Sequence, residues 1–119
     1  MTEGKAAEDL LDTAFDVARR YKSFGSYGSE AVAVRALHRR CPGFSKDQCR
    51  DAFHQALHLF ETTSEVVTHH QEELLANWQT PERVDSGSID AAIQQRCPGF
   101  SVSTCRSAWG WVFVWHHLR

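Results

Sequence analysis

Four cysteines are the residues of this chain best able to do chemistry, and they come as two equal pairs. Seven residues separate Cys41 from Cys49, and seven separate Cys97 from Cys105. At that spacing each pair spans a helix end and the first turn of the next helix. Such thiols can act as small buried hydrophobes that lock the corner, since free cysteine is among the most buried residue types. They could close a disulfide, which spans about 5.5 Å between Cα atoms and needs an oxidising compartment. They could also ligate zinc, Cys41 and Cys49 with His38 or His54, and Cys105 with His116 and His117 beyond it. Zinc-binding cysteines, however, usually stand about two to four residues apart, and that spacing is missing. We therefore expect a structural role for Cys41, Cys49, Cys97 and Cys105, with no cofactor and with zinc as the lesser option.

The seven histidines give little more. His54 and His58 stand four apart, on one face of a helix, a spacing that can bind metal or tune a pH response. Gln55 occupies the place where a zinc peptidase carries its glutamate base, so this pair has no proton acceptor between its members. His69-His70 and His116-His117 are adjacent pairs. The chain has no glycine-rich phosphate loop, no nucleophile elbow and no carboxylate pair beside a nucleophile. An enzyme with a site between the two halves ranks third among the functions considered.

The elements that must position these residues are announced by a duplication. Arg-Cys-Pro-Gly-Phe-Ser occurs at Arg40–Ser45 and again at Arg96–Ser101, each followed by Cys-Arg at a constant offset of 56 residues. Self-similarity at a fixed period indicates a repeated structural unit. In each copy the proline (Pro42, Pro98) stops a helix, because it lacks an N–H and pushes the preceding residue out of the helical region. Pro42-Gly43 suits a type II turn with glycine at positive φ, and Pro98-Gly99 repeats it. Phe44 and Phe100 follow as inward anchors. Ser45 caps the next helix and forms a capping box with Gln48; Ser101 is its counterpart, with Thr104 at the glutamine position.

Apolar periodicity places the helices around these corners. The first covers about Glu3–Lys22, with Ala7, Leu10, Leu11, Ala14, Ala18 and Tyr21 on one face. Ser29 caps a second over Glu30–Arg40. A third starts at Lys46, with Cys49, Phe53, Ala56, Leu57 and Phe60 on its inner face. Thr62-Thr63-Ser64 are poor helix formers, so a break is expected there, dividing a first repeat 1–63 from a second repeat 64–119. A single helix running to about Gln79, through Trp78, is the alternative. Thr80–Ser88 is a linker, and Ser86 or Ser88 caps a fifth helix ending at Pro98. Over Val102–Leu118 the alternation of Trp109, Trp111, Phe113 and Trp115 favours a strand. The duplication sets the same segment opposite the third helix, and on that ground a sixth helix is expected. The fold class is therefore all-α: about six helices, two pseudo-repeated three-helix units packed through their third helices around one core.

As a helix, Val102–Leu118 shows two apolar faces. Cys105, Trp109, Val112, Phe113 and His116 form one, and Trp111, Val114, Trp115 and Leu118 the other. A helix apolar all round is normally buried. If one face stays outside, it has the aromatic composition of binding hot spots. The stretch Arg35–Arg50 is basic, with Arg39 and Arg40 at a helix C-terminus, where cations favour the dipole. The protein-binding candidates are Trp111 and Trp115 with the rim Arg39, Arg40 and Arg50.

The corner itself, an amphipathic helix, a short proline turn and a capped helix, distantly resembles the ubiquitin-binding CUE and UBA modules over about 25 residues of each copy. Arg40-Cys41-Pro42 stands where those modules carry Met-Phe-Pro, and no dileucine-type end follows the second copy. What the resemblance implies is binding of another protein by a small helical module. The Cys-Pro dipeptides are also similar to haem-responsive motifs, although here the prolines already serve as helix stops.

Charge and composition exclude several classes. The net charge of −2 divides into +1 over residues 1–56 and −3 over 57–119, so neither half is a polyelectrolyte and nucleic acid is not a favoured partner. No apolar run is long enough to span a membrane. Met1–Asp12 has no apolar signal core, from which a cytoplasmic or nuclear location with reduced thiols is expected. The expected function is a non-enzymatic intracellular interaction or adaptor domain whose partner is another protein or a second copy of itself. A metal- or redox-responsive protein using the cysteine corners is the alternative.

Overall fold

A computed structural model describes residues 2–24, 27–77 and 79–115. Its described residues form six α-helices: α1 (Thr2–Phe24), α2 (Glu30–Arg40), α3 (Lys46–His69), α4 (Gln71–Asn77), α5 (Ser86–Arg96) and α6 (Val102–Phe113). A 3-10 turn at Pro81–Arg83 lies in the linker before α5. None of these helices is long and apolar enough to cross a membrane. The chain divides into two compact units, Met1–His58 and Leu59–Arg119.

In the first unit α1 packs on α2 and lays Leu10, Ala14, Val17 and Ala18 into the core against Ala33, Val34 and Leu37 of α2. Cys49, Ala52, Phe53 and Ala56 of α3 are buried in the same unit, and Tyr21 meets the Phe53 ring edge-on at 5.4 Å. Ala7, expected on the inner face, is exposed, and Val17 takes an inward place that the periodicity did not assign. Asp16 on α1 accepts hydrogen bonds from Arg19 (2.9 Å) and from Arg40 of α2 (2.8 Å). Burial raises the Asp16 pKa, but those bonds and the Arg20 charge outweigh it, and the carboxyl sits below its ordinary value.

The expected break at Thr62–Ser64 does not occur. α3 runs unbroken through it; the Thr63 hydroxyl is satisfied within the helix, donating to the Leu59 carbonyl at 2.6 Å, and further along Thr68 donates to that of Ser64 at 2.8 Å. Thr62 and Thr63 are fully buried, and the Thr62 hydroxyl has no hydrogen-bond partner. The interruption comes at His70, whose N–H is shared between the Val66 and Val67 carbonyls at 3.2 and 3.1 Å before α4 begins. Trp78 lies outside the described residues.

In the second unit Phe60, Val66, Val67 and Leu74 are buried, as are Ile89 and Ile93 of α5 and Cys105, Ala108, Val112 and Phe113 of α6. Asp85, not Ser86 or Ser88, caps α5, accepting from the Ser88 N–H at 3.1 Å. Its carboxylate reaches the third N–H of the helix directly. Glu73 of α4 in turn accepts the Asp85 N–H at 3.0 Å, which together with His70 lowers the Glu73 pKa. Val102–Phe113 forms a helix and not the strand its alternating aromatics favour, and Val114 and Trp115 continue it in a wider π-type turn.

Candidate functional site

The two cysteine corners have closely matching backbones. Cys41 and Cys97 end their helices at φ/ψ of −129°/64° and −131°/67°, and each donates its N–H to a carbonyl one turn back at 2.9 Å. Phe44 donates to the Cys41 carbonyl at 3.2 Å and Phe100 to that of Cys97 at 3.3 Å. Each serine then caps the following helix. Ser45 and Gln48 bond reciprocally at 2.8 and 3.1 Å, while Ser101 accepts from the Thr104 N–H at 3.1 Å. Gly43 does not enter the left-handed region, so the first turn is not the expected type II; proline at its first central position suits type I equally well. Phe100 is buried, whereas Phe44 is only half-buried, so the anchor role belongs fully to the second corner.

All four thiols are free; Cys41 is half-buried and the other three are buried. Burial, with lesser contributions from Cys97 and Asp90, pushes the Cys105 thiol up to about 11, and burial with Cys41 raises Cys49. High thiol pKa values suppress the thiolate that nucleophilic, redox or metal chemistry needs. Among the described residues no group of three or more His, Cys, Asp or Glu side chains could hold a metal ion. His54 and His58 are both exposed on α3, and His54 lies 3.4 Å from the Glu30 carboxylate. His116, His117 and Leu118 lie outside the described residues.

The tryptophan face belongs to the second unit. Trp111 and Trp115 stack at 5.4 Å with their rings 13° apart, and Phe60 meets Trp111 edge-on at 5.3 Å. Both indoles are half-buried, and Val114 between them is 54% exposed. The cationic candidates belong to the first unit. Arg40 is engaged with Asp16, Arg39 is exposed, and Arg50 makes a 3.0 Å pair with the well-exposed Asp47. The structure therefore does not gather the five candidates into one unit.

Sequence reasoning missed a buried polar centre in the second unit. Asp90 lies on α5 among the inward residues, only 3% exposed. One carboxylate oxygen accepts from Arg106 Nε at 3.1 Å and also from its terminal nitrogen; the other accepts the Trp109 indole N–H at 2.7 Å. A buried carboxylate is tolerated when it is paired and hydrogen-bonded in this way. The available signal was Asp90 on the apolar stripe between Ile89 and Ile93, standing where the duplication offset puts Val34 in the first copy.

In the first unit Val34 borders open space. A cleft of about 330 Å³ lies between α2, which contributes Glu30, Ala31, Val34 and Arg35, and α3, which contributes Lys46, Arg50 and His54. Val34 is its buried floor, and its other lining side chains are exposed.

No protein-family model matches the chain, and neither a curated protein nor a solved structure matches it.

Proposed function

We propose that this chain is a non-enzymatic protein-interaction module, an adaptor working inside the cell and built from two copies of one three-helix unit. The observation that carries the reading is the end of α6. Trp111 and Trp115 stack without being fully buried, and Val114 beside them is 54% exposed. Aromatic side chains held rigidly by their neighbours contribute contact area at little entropic cost, which is why they dominate binding hot spots. The matching hydrogen bonds of the two corners support the duplication. In this reading the cysteines are corner residues, because the raised pKa values of Cys49 and Cys105, one in each corner, work against the metal- or redox-responsive alternative.

The test compares wild type with Val114→Asp and Trp115→Ala in two assays: sedimentation velocity of the purified chain, and capture from lysate with each retained protein rebuilt as a purified pair. Either variant should abolish a defined dimer or a rebuilt complex while the helical circular dichroism stays unchanged. A wild type that is monomeric and forms no rebuilt complex, or variants that behave as wild type, would refute the reading.

A further inference from the structure

We infer that the cleft between α2 and α3 receives a carboxylate side chain from an acidic segment of a partner protein. The inference rests on the duplicated adaptor reading, because the second unit supplies the comparison. There, Arg106 and Trp109 hold the carboxylate of Asp90 in the interior. The offset of 56 residues matches Asp90 with Val34, Arg106 with Arg50 and Trp109 with Phe53. The first unit thus keeps the arginine, lacks the internal carboxylate, and has a cleft of about 330 Å³ at that place.

Charge follows the same division. Around the cleft stand Arg35, Lys46 and Arg50, while the matched positions Ala91 and Val102 of the second unit are neutral and only Arg106 is cationic. Extra cations are present where no internal carboxylate meets them. The negative groups at hand are Glu30, which faces His54 at 3.4 Å, Asp47, which faces Arg50 at 3.0 Å, and the exposed Asp51, which accepts from Gln55 at 2.9 Å. Asp47 is 90% exposed and Arg50 57%, so their pair is weak and easily exchanged for a better-placed carboxylate. Ala31 and Val34 give the cleft an apolar floor, on which an apolar neighbour of the acidic residue can rest. Arginine, with its planar fork, is the side chain suited to such a carboxylate.

The experiment titrates the isotopically labelled full chain with a short peptide of glutamates and alanines, following backbone amide shifts by NMR. A glutamine–alanine peptide, inorganic phosphate and a single-stranded oligonucleotide are run in parallel. The acidic peptide should move the amides of Ala31–Arg35 and Lys46–His54, and the glutamine peptide should not. Arg50→Ala should weaken binding about tenfold or more. Val34→Asp, which imports the second unit's own carboxylate, should do the same by occupying the cleft from within. If Val34→Asp disturbs the fold, the exposed Arg50 variant decides. Equal binding of the glutamine peptide, binding that ignores both variants, shifts confined to α6, or tighter occupancy of the same amides by phosphate or oligonucleotide would each overturn the inference. Trp115→Ala should leave peptide binding unchanged, so a failed cleft and a failed aromatic surface give different results.

Discussion

The Trp109 indole N–H points at the buried carboxylate of Asp90 from 2.7 Å, so α6 is fastened to α5 by a hydrogen bond inside the second unit. Arg106 closes on the other carboxylate oxygen while keeping 57% of its own side chain in solvent. Removing the carboxylate with Asp90→Ala leaves an indole donor and a guanidinium without their acceptor. It should cost about 2–4 kcal/mol. Asp90→Asn keeps an acceptor for Trp109 and should cost less. Urea denaturation of the three proteins checks the order, which fails if the alanine variant is as stable as wild type.

Thr62 and Thr63 are neighbours with opposite expectations. The Thr63 hydroxyl is bonded to Leu59, and the equally buried Thr62 hydroxyl has no partner. Thr62→Val should therefore raise stability by about 1 kcal/mol, whereas Thr63→Val should be neutral or slightly destabilising. Paired thermal melts read the difference.

Gly110 sits inside α6 with nothing within 4 Å of where a Cβ would stand and without a positive φ. Gly110→Ala should stabilise the protein by about 0.5–1 kcal/mol through helix propensity. A loss of stability would mean that the position has a neighbour the structure does not show.

Acid should weaken the first unit through Asp16. Its pKa is lowered below the ordinary 3.8 in the fold, so its stabilisation is complete above that value and is lost as pH falls through the lower, folded value. Going from about pH 5 to about pH 2, wild type should lose about 1 kcal/mol more than Asp16→Asn. Chemical denaturation at both pH values measures the gap.

Thiol labelling should be graded. Cys41 is half-buried, while Cys49 and Cys105 are buried and have raised pKa values. A native sample at neutral pH should modify Cys41 first, and the remaining thiols only on unfolding. Peptide mapping after a short pulse identifies the site, and rapid labelling of Cys105 would contradict the burial that raises its pKa.

What the sequence disclosed followed the range of the forces involved. The caps at Ser29, Ser45 and Ser101 and the stops before Pro42 and Pro98 depend on a few adjacent residues, and they formed as read. The helical state of α6 was legible only through the duplication, since its alternating aromatics locally favour a strand. The supposed break at Thr62–Ser64 weighed a small propensity penalty, which the burial of Thr62 and Thr63 outweighed. Asp90 was passed over because its partners, Arg106 and Trp109, lie 16 and 19 residues away. The cleft was invisible for a related reason: Val34 reads as an ordinary core residue, and the space beside it is a property of two packed helices.

α3 also sets a rule of phase for this chain. Leu59, Phe60, Thr62, Thr63, Val66 and Val67 are all buried along its second half. Each added or deleted residue there would turn everything downstream by about 100° about the helix axis. One set of these side chains would then swing into water. The segment can drift by substitution, but its length is frozen.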